Sequence, residues 1–171
     1  MSDPDSSPAP ASDVSLRLIA PADDEHVERV IRSVMTEFGA IGCGFAIEDA
    51  EVGAMHAAYQ EPRTAFFVAE LRGAIVGGAG IAPLQGGDPD TCELRKMYLL
   101  PDARGLGVGR SLLDRCLSAA REKGFRTCYL ETLQSMAAAR KLYEAFGFER
   151  IDAPLGETGH GGCDTWYARG L

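Results

Sequence analysis

A glycine-rich stretch carries the clearest chemical signal in this 171-residue sequence. It follows an apolar, strand-like run and opens an amphipathic helical pattern that reaches about Lys123. The first amides of a helix lack intrahelical partners, and the helix dipole adds partial positive charge there. Glycines let such amides approach a ligand closely, so the stretch predicts a phosphate or pyrophosphate site. Its residues are Arg104, Gly105, Leu106, Gly107, Val108, Gly109 and Arg110.

The spacing of these glycines excludes two common nucleotide motifs. A P-loop requires G-x-x-x-x-G-K-S/T, but the residue five positions after Gly105 is Arg110. A dinucleotide fingerprint requires G-x-G-x-x-G, and here the third glycine, Gly109, comes one residue early. The pattern that does fit is R/Q-x-x-G-x-G, formed by Arg104, Gly107 and Gly109. A glycine-rich turn without a ligand is the alternative interpretation.

This pattern resembles the signature of the GNAT superfamily of acyl-CoA-dependent N-acetyltransferases. A second pattern, A-x-x-L-Y-x-x-x-G-F, resembles a later helix of the family and its closing turn, and is formed by Ala139, Leu142, Tyr143, Gly147 and Phe148. The resemblance implies an α/β (α+β) fold with a mixed, largely antiparallel sheet of about six or seven strands and about four flanking helices. It also implies acetyl-CoA as co-substrate and no metal.

The resemblance assigns the cofactor contacts mainly to the backbone. In the family, the amides of the glycine motif hold the pyrophosphate of coenzyme A, which implies this role for residues 104–110. The main chain of Met97, Tyr98 and Leu99 is expected to pair with the pantetheine arm as a neighbouring strand would. Many members carry an asparagine seven residues before their catalytic tyrosine. Here that residue is Met136, so a polar contact is missing or comes from a neighbouring residue.

Tyr143 matches the tyrosine that acts in the family as general acid toward the departing thiolate. A phenol O–H close to the sulfur can protonate or stabilise the negative charge that appears when the tetrahedral intermediate collapses. The alternative is ordinary packing, because Tyr143 shares a helical face with Met136, Ala139 and Phe146. The resemblance favours the catalytic role.

Two carboxylates are candidates for the base, since an ammonium has no lone pair with which to attack a thioester. Glu93, on the strand before the glycine motif, matches the glutamate that acts as base in the histone-modifying branch of the family. Glu131, at the end of the next strand, is the rival candidate on the acceptor side. Glu93 has a simpler interpretation as a solvated strand end or an ion pair with Arg95 or Arg126.

The hydrophobic periodicity predicts the elements that position these residues. Gly124 and Gly147 end the helices that precede them. The predicted order is a strand at 15–19, helices at 21–38 and 47–59, strands at 65–71, 74–82 and 92–100, the helix after the glycine motif, a strand at 127–132, a helix at 136–146, and strands near 148–152 and 165–168.

Composition and charge limit the class of protein. Residues 1–13 are rich in Ser, Pro, Ala and Asp and predict a disordered tail, and residues 14–171 predict a single domain. The formal net charge of −8 disfavours nucleic acid and anionic membranes as partners. No secretory signal or spanning segment is recognisable, so we expect a cytoplasmic protein. Five widely spaced cysteines predict reduced, mostly buried thiols.

The sequence therefore predicts an N-acetyltransferase that moves an acetyl group from acetyl-CoA to a primary amine of a small molecule, by direct attack in a ternary complex. Protein or peptide N-acetylation and a non-catalytic acyl-CoA sensor are the alternatives, and a homodimer is possible. The polar, glycine-rich segment 156–166 is expected to shape the acceptor pocket. His160 within it is a minor acid/base candidate, and its spacing to Cys163 and Asp164 resembles no known metal cluster.

Overall fold

A computed structural model describes residues 13–171. The predicted N-terminal tail, apart from Asp13, lies outside this range. No helix among the described residues is both long and apolar enough to cross a bilayer. The five cysteines are free thiols, and Cys92, Cys116 and Cys128 are buried.

The centre of the fold is one seven-stranded sheet with the order β1-β2-β3-β4-β5-β7-β6. Only the β4–β5 pair is parallel, and all other neighbours are antiparallel. This confirms the predicted mixed, largely antiparallel sheet. The strands are β1 (Val14–Leu18), β2 (Ala65–Leu71), β3 (Ala74–Pro83), β4 (Thr91–Leu99), β5 (Thr127–Thr132), β6 (Glu149–Ile151) and β7 (Thr165–Gly170).

Within residues 13–171, four α-helices flank the sheet, as predicted. Two of them pack against its two faces and contribute to the hydrophobic core on each side. The helices are α1 (Asp24–Glu37), α2 (Met55–Ala58), α3 (Val108–Glu122) and α4 (Ala137–Ala145). On one face, α3 buries Leu112, Leu113 and Leu117 against the sheet. On the other, α1 buries Val27 and Ile31. The apolar stripes of both helices match the 3.6-residue period from which they were predicted.

The predicted continuous helix at 47–59 is wrong. The segment forms two 3₁₀ turns, Ala46–Glu48 and Ala50–Gly53, before the single turn of α2. Asp49 breaks the helix because its backbone is extended, with φ −62° and ψ 130°. Its carboxylate is bound by Lys96 and His160, both distant in sequence. Tertiary contacts therefore decide the local conformation, which helical propensity could not anticipate.

β4 and β5 diverge, and this divergence opens the sheet. Their pairing ends at Glu93 opposite Tyr129, although both strands continue further. On its other side, β4 has a register shift against β3 between Gly78 and Gly80. Near this bulge, Lys96 has a left-handed φ of 49°. The result is a wedge between two strands in the middle of the fold.

Candidate active site

The glycine-rich turn has the geometry predicted for an anion site. Gly105 and Gly107 have φ values of 75° and 79°, a region that favours glycine. Gly107 is the N-cap residue of α3, so the amides that follow it belong to the first turn. Gly109 serves packing as well, because a Cβ there would lie 3.2 Å from Leu99 Cδ1.

A groove of about 440 Å³ runs beside this turn. It reaches from α1 to the start of α4, so the glycine turn forms one wall of a cleft rather than an exposed corner. Several predicted cofactor residues lie outside the lining: Val108 is buried in the core, Leu106 is exposed, and Tyr98 lines a smaller cavity nearby. The predicted cofactor residues that line the groove are Met97, Leu99, Arg104, Gly105, Gly107, Gly109 and Arg110.

The Arg104 guanidinium is not a free cation. Its Nη1 and Nη2 each lie 2.7 Å from a carboxylate oxygen of Glu37. Nε and Nη2 also donate to the Leu99 carbonyl at 3.1 and 2.9 Å. The hydrogen bond from Arg104 holds the pKa of the Glu37 carboxyl below its usual range. The carbonyl expected to pair with pantetheine therefore already has a side-chain donor.

Tyr143 is buried on α4. Its ring packs near Phe148 and Tyr167, with centroid distances of 5.9 and 6.2 Å. Burial, with smaller contributions from Cys128 and Cys116, raises the pKa of its phenol, so the hydroxyl stays protonated at neutral pH.

Tyr143 also lines a small cavity of about 50 Å³ that shares lining residues with two larger spaces. This cavity shares Met97 and Met136 with the groove beside the glycine turn. It shares Glu131 and Cys163 with a second pocket, of about 470 Å³, on the other side. Tyr143 therefore packs in the hydrophobic core, as the alternative interpretation expected. It also lines the small cavity next to both larger spaces.

Glu93 and Glu131 have opposite electrostatic environments. The Glu93 side chain is 4% exposed, and its Oε2 lies 2.7 Å from Arg95 Nε, which is the ion pair considered above. Burial raises the pKa of Glu93, although Arg95 opposes the shift. Glu131 is equally enclosed, but hydrogen bonds from His160, Tyr129 and Thr158 outweigh its burial and lower its pKa. Such a pair suits one proton acceptor and one permanent anion.

His160 completes this cluster. Its Nε2 lies 3.0 and 3.1 Å from the two carboxylate oxygens of Asp49. Its Nδ1 lies 3.6 Å from Glu131 Oε2. Hydrogen bonds to Asp49 and Glu131 raise the pKa of His160 to about 9. From the sequence, His160 is only a minor acid/base candidate, because Asp49 is 111 positions away and only the density of polar residues around His160 draws notice to it.

Glu93, Glu131 and His160 are also the described residues whose arrangement could hold a metal, with ligand atoms within 4.8 Å of one another. Protein donors already hydrogen-bond to both carboxylates. A protonated imidazole has no lone pair for a metal. The carboxylates of this cluster therefore already have hydrogen-bond partners among neighbouring side chains.

The second pocket is walled by the segment between β6 and β7, which we call the acceptor loop (residues 154–164). Its lining includes Glu131, Thr158, His160, Cys163 and Trp166. The acceptor loop also contacts the glycine-containing segment that follows α1, since the amide of Gly162 donates to the Gly44 carbonyl at 3.0 Å. The acceptor loop therefore lines a space that borders Glu131.

Comparison with known proteins identifies the class. The model of the Acetyltransferase (GNAT) family matches residues 29–148, and the chain belongs to this family. It is an acyltransferase of the N-acetyltransferase type.

Individual relatives align with nearly the whole chain. An uncharacterized N-acetyltransferase, YjgM of Escherichia coli K12, is 43% identical over 164 residues, covering 95% of this chain and 98% of YjgM. A GNAT-family acetyltransferase structure from Staphylococcus aureus Mu50 has a TM-score of 0.81 at 22% identity, covering 92% of this chain and 99% of that one. Salmonella typhimurium YncA, solved with acetyl-CoA, has a TM-score of 0.75 at 22% identity, covering 92% and 94%. The two structures establish the fold.

Proposed function

We propose that this protein transfers an acetyl group from acetyl-CoA to the primary amine of a small molecule, by direct attack in a ternary complex. The observation that carries the proposal is the small cavity at Tyr143, which shares lining residues with both the glycine-motif groove and the pocket beside Glu131. A cofactor in one space and an amine in the other would meet beside Tyr143. Direct transfer needs such a meeting point.

The cofactor side fits coenzyme A. The turn at Gly105 and Gly107 exposes the first amides of α3, which suit a pyrophosphate. The groove is large enough for a pantetheine arm, and YncA binds acetyl-CoA on the same fold. Met97 lines both the groove and the small cavity, so its strand would guide the arm toward Tyr143.

The acceptor side supports a division of labour between the carboxylates. We assign the base to Glu93, since its raised pKa favours taking a proton from an ammonium. Glu131 remains ionised and would hold the ammonium by charge. After proton loss, the amine nitrogen bonds to the thioester carbon. The carbon–sulfur bond then breaks, and the sulfur takes a proton from Tyr143. The phenolate regains the proton that the new amide nitrogen releases.

We propose a small acceptor because the acceptor loop and Glu131 line a space of about 470 Å³, which is the size of a small-molecule site. Peptide acetylation and the non-catalytic sensor are the alternatives. We also propose a cytoplasmic location, which cell fractionation would test, and a homodimer, which sedimentation of the purified chain would test.

The experiment is a screen for thiol release from acetyl-CoA near pH 8, with amino acids, polyamines, aminoglycosides and lysine peptides as acceptors. Mass spectrometry of the products locates the added acetyl group. Acetylation of a small amine with little activity on peptides supports the proposal. Preference for peptides would favour the first alternative, and cofactor binding without any acetylated amine would favour the sensor.

A further inference from the structure

The acceptor loop is fastened to the rest of the fold mainly through polar contacts. Thr158 Oγ1 donates to Glu131 Oε2 at 2.9 Å, and the Gly162 amide donates to Gly44. Between them, His160 reaches Asp49 on one side and Glu131 on the other. The His160 side chain is 13% exposed, so this contact is largely shielded from water.

Asp49 is in turn held from β4. Lys96 Nζ lies 2.7 Å from Asp49 Oδ2 and also contacts Glu51, and its side chain is 1% exposed. The chain of contacts therefore runs from Lys96 through Asp49 and His160 to Glu131. Lys96 lies on β4 beyond its last pair with β5, and Glu131 lies on β5 beyond the same point. The contacts thus bridge the two strands across the wedge.

The charge balance of this region depends on His160. Four carboxylates lie in this region, and apart from His160 the ion pairs recorded for them within residues 13–171 come from Arg95 and Lys96. The neighbouring Tyr129 and Cys163 are neutral, since burial raises the pKa of each. A protonated imidazole supplies a third cation. Because enclosed charges are stable only when paired, loss of this cation would leave Asp49 and Glu131 repelling each other. The carboxylates are Asp49, Glu51, Glu93 and Glu131.

We propose that His160 is a positioning residue for acetyl transfer: as a cation between Asp49 and Glu131, it keeps the acceptor loop closed and holds the Glu131 carboxylate toward the acceptor. The proposal rests on the proposed function, since it names the device that organises the acceptor side of the same site. His160 itself touches neither the thioester nor the attacking nitrogen in this account.

The proposal makes loop closure dependent on pH in a defined direction. The folded pKa of His160, about 9, lies above the usual value of 6.5. The cation is therefore fully present below pH 6.5, and its contribution is lost as pH rises through about 9. We expect faster opening of the acceptor loop in that upper range, with the core unchanged.

The test compares His160→Gln with His26→Gln. Glutamine keeps a hydrogen-bond donor but not the charge, and His26 is an exposed histidine on α1. Hydrogen exchange followed by mass spectrometry measures opening of the acceptor loop, and an NMR titration of the wild-type imidazoles measures the charge on His160. Neither readout needs an acceptor. Binding of acetyl-CoA reports whether each variant keeps the rest of the fold.

We expect His160→Gln to exchange about ten-fold faster at residues 154–164 and nowhere in the core, while acetyl-CoA binding is kept. With an amine found in the screen, the KM of His160→Gln for that amine should rise about ten-fold. The acid limb of the variant's pH–rate profile should move to higher pH. His26→Gln should match the wild type.

The proposal would be overturned if the acceptor loop of His160→Gln exchanged at the wild-type rate, or if His160 in the wild type titrated near its usual pKa. If His160→Gln does not fold, the wild-type titration and the pH dependence of loop exchange decide. Should no amine be acetylated, the proposed function fails while the exchange result still stands or falls by itself.

Discussion

Glu93 pairs with Tyr129 at the last point where β4 and β5 are joined. The carboxylate thus lies at the vertex of the wedge, enclosed by protein and close to Glu131 and His160. Burial at this position raises the pKa of Glu93, which turns an ordinary carboxylate into a useful proton acceptor. The divergence of the two strands therefore sets the electrostatic environment of the carboxylate that we propose as the base.

Replacing Glu93 by Gln should lower kcat by about ten- to a thousand-fold, because the amine then has no proton acceptor. In the wild type, activity should fall as pH is lowered through the raised pKa of Glu93, where the base becomes protonated. Initial rates from pH 6 to pH 10 measure both effects. Glu131→Gln should instead raise the acceptor KM, and exposed Glu149→Gln serves as the control. An unchanged kcat in Glu93→Gln would transfer the role of base to another group.

The ion pair between Glu37 and Arg104 should limit acetyl-CoA affinity. Glu37→Gln frees the guanidinium for a phosphate and removes a negative charge beside the groove. The pair is partly exposed, so we expect the Kd for acetyl-CoA to fall only about two- to five-fold by calorimetry. S-acetylpantetheine, which lacks the pyrophosphate, should bind both forms equally. Weaker binding of acetyl-CoA to Glu37→Gln would mean that the ion pair orients Arg104 for the cofactor instead.

Gly80 should be intolerant of even a methyl group. An added Cβ would lie 2.6 Å from Phe66 Cδ2 and 2.9 Å from the Ala65 carbonyl oxygen, and Phe66 is buried. Gly80→Ala should therefore lower the free energy of unfolding by about 1–3 kcal/mol in denaturant titrations. Gly170→Ala is the matched strand control, since nothing lies within 4 Å of its Cβ. Because Gly80 pairs with Arg95, the partner of Glu93, turnover should fall as well. Equal stability of the two variants would refute this packing argument.

The features predicted from the sequence are those encoded by neighbouring residues. The strand 127–132 has the predicted bounds, and the predicted strands 65–71 and 74–82 are joined by Arg72 and Gly73, whose two positive φ values suit a tight turn. The glycine turn likewise needs only its own residues and the helix that follows. These signals are local, so they can be recognised without knowing the fold.

The features that the sequence did not predict depend on distant partners. The break at Asp49 follows from contacts with Lys96 and His160, which no local pattern announces. The engagement of Arg104 by Glu37 joins residues 67 positions apart. The roles of Glu93 and Glu131 remained open because their pKa shifts come from opposite surroundings. Side-chain charge and environment are properties of the assembled site.

The most direct test of the central claim is turnover by Tyr143→Phe, measured together with calorimetric binding of acetyl-CoA. Tyr143 packs in the core and also lines the small cavity, so removing the phenol oxygen alone should spare the fold. Tyr167→Phe is the matched control: it removes a hydroxyl from the same aromatic cluster, where the partner is Glu144. We predict that Tyr143→Phe binds acetyl-CoA as the wild type does and loses about ten- to a thousand-fold in kcat, while Tyr167→Phe keeps its activity. Wild-type turnover by Tyr143→Phe would contradict the account, because Tyr143 would then have no part in the chemistry.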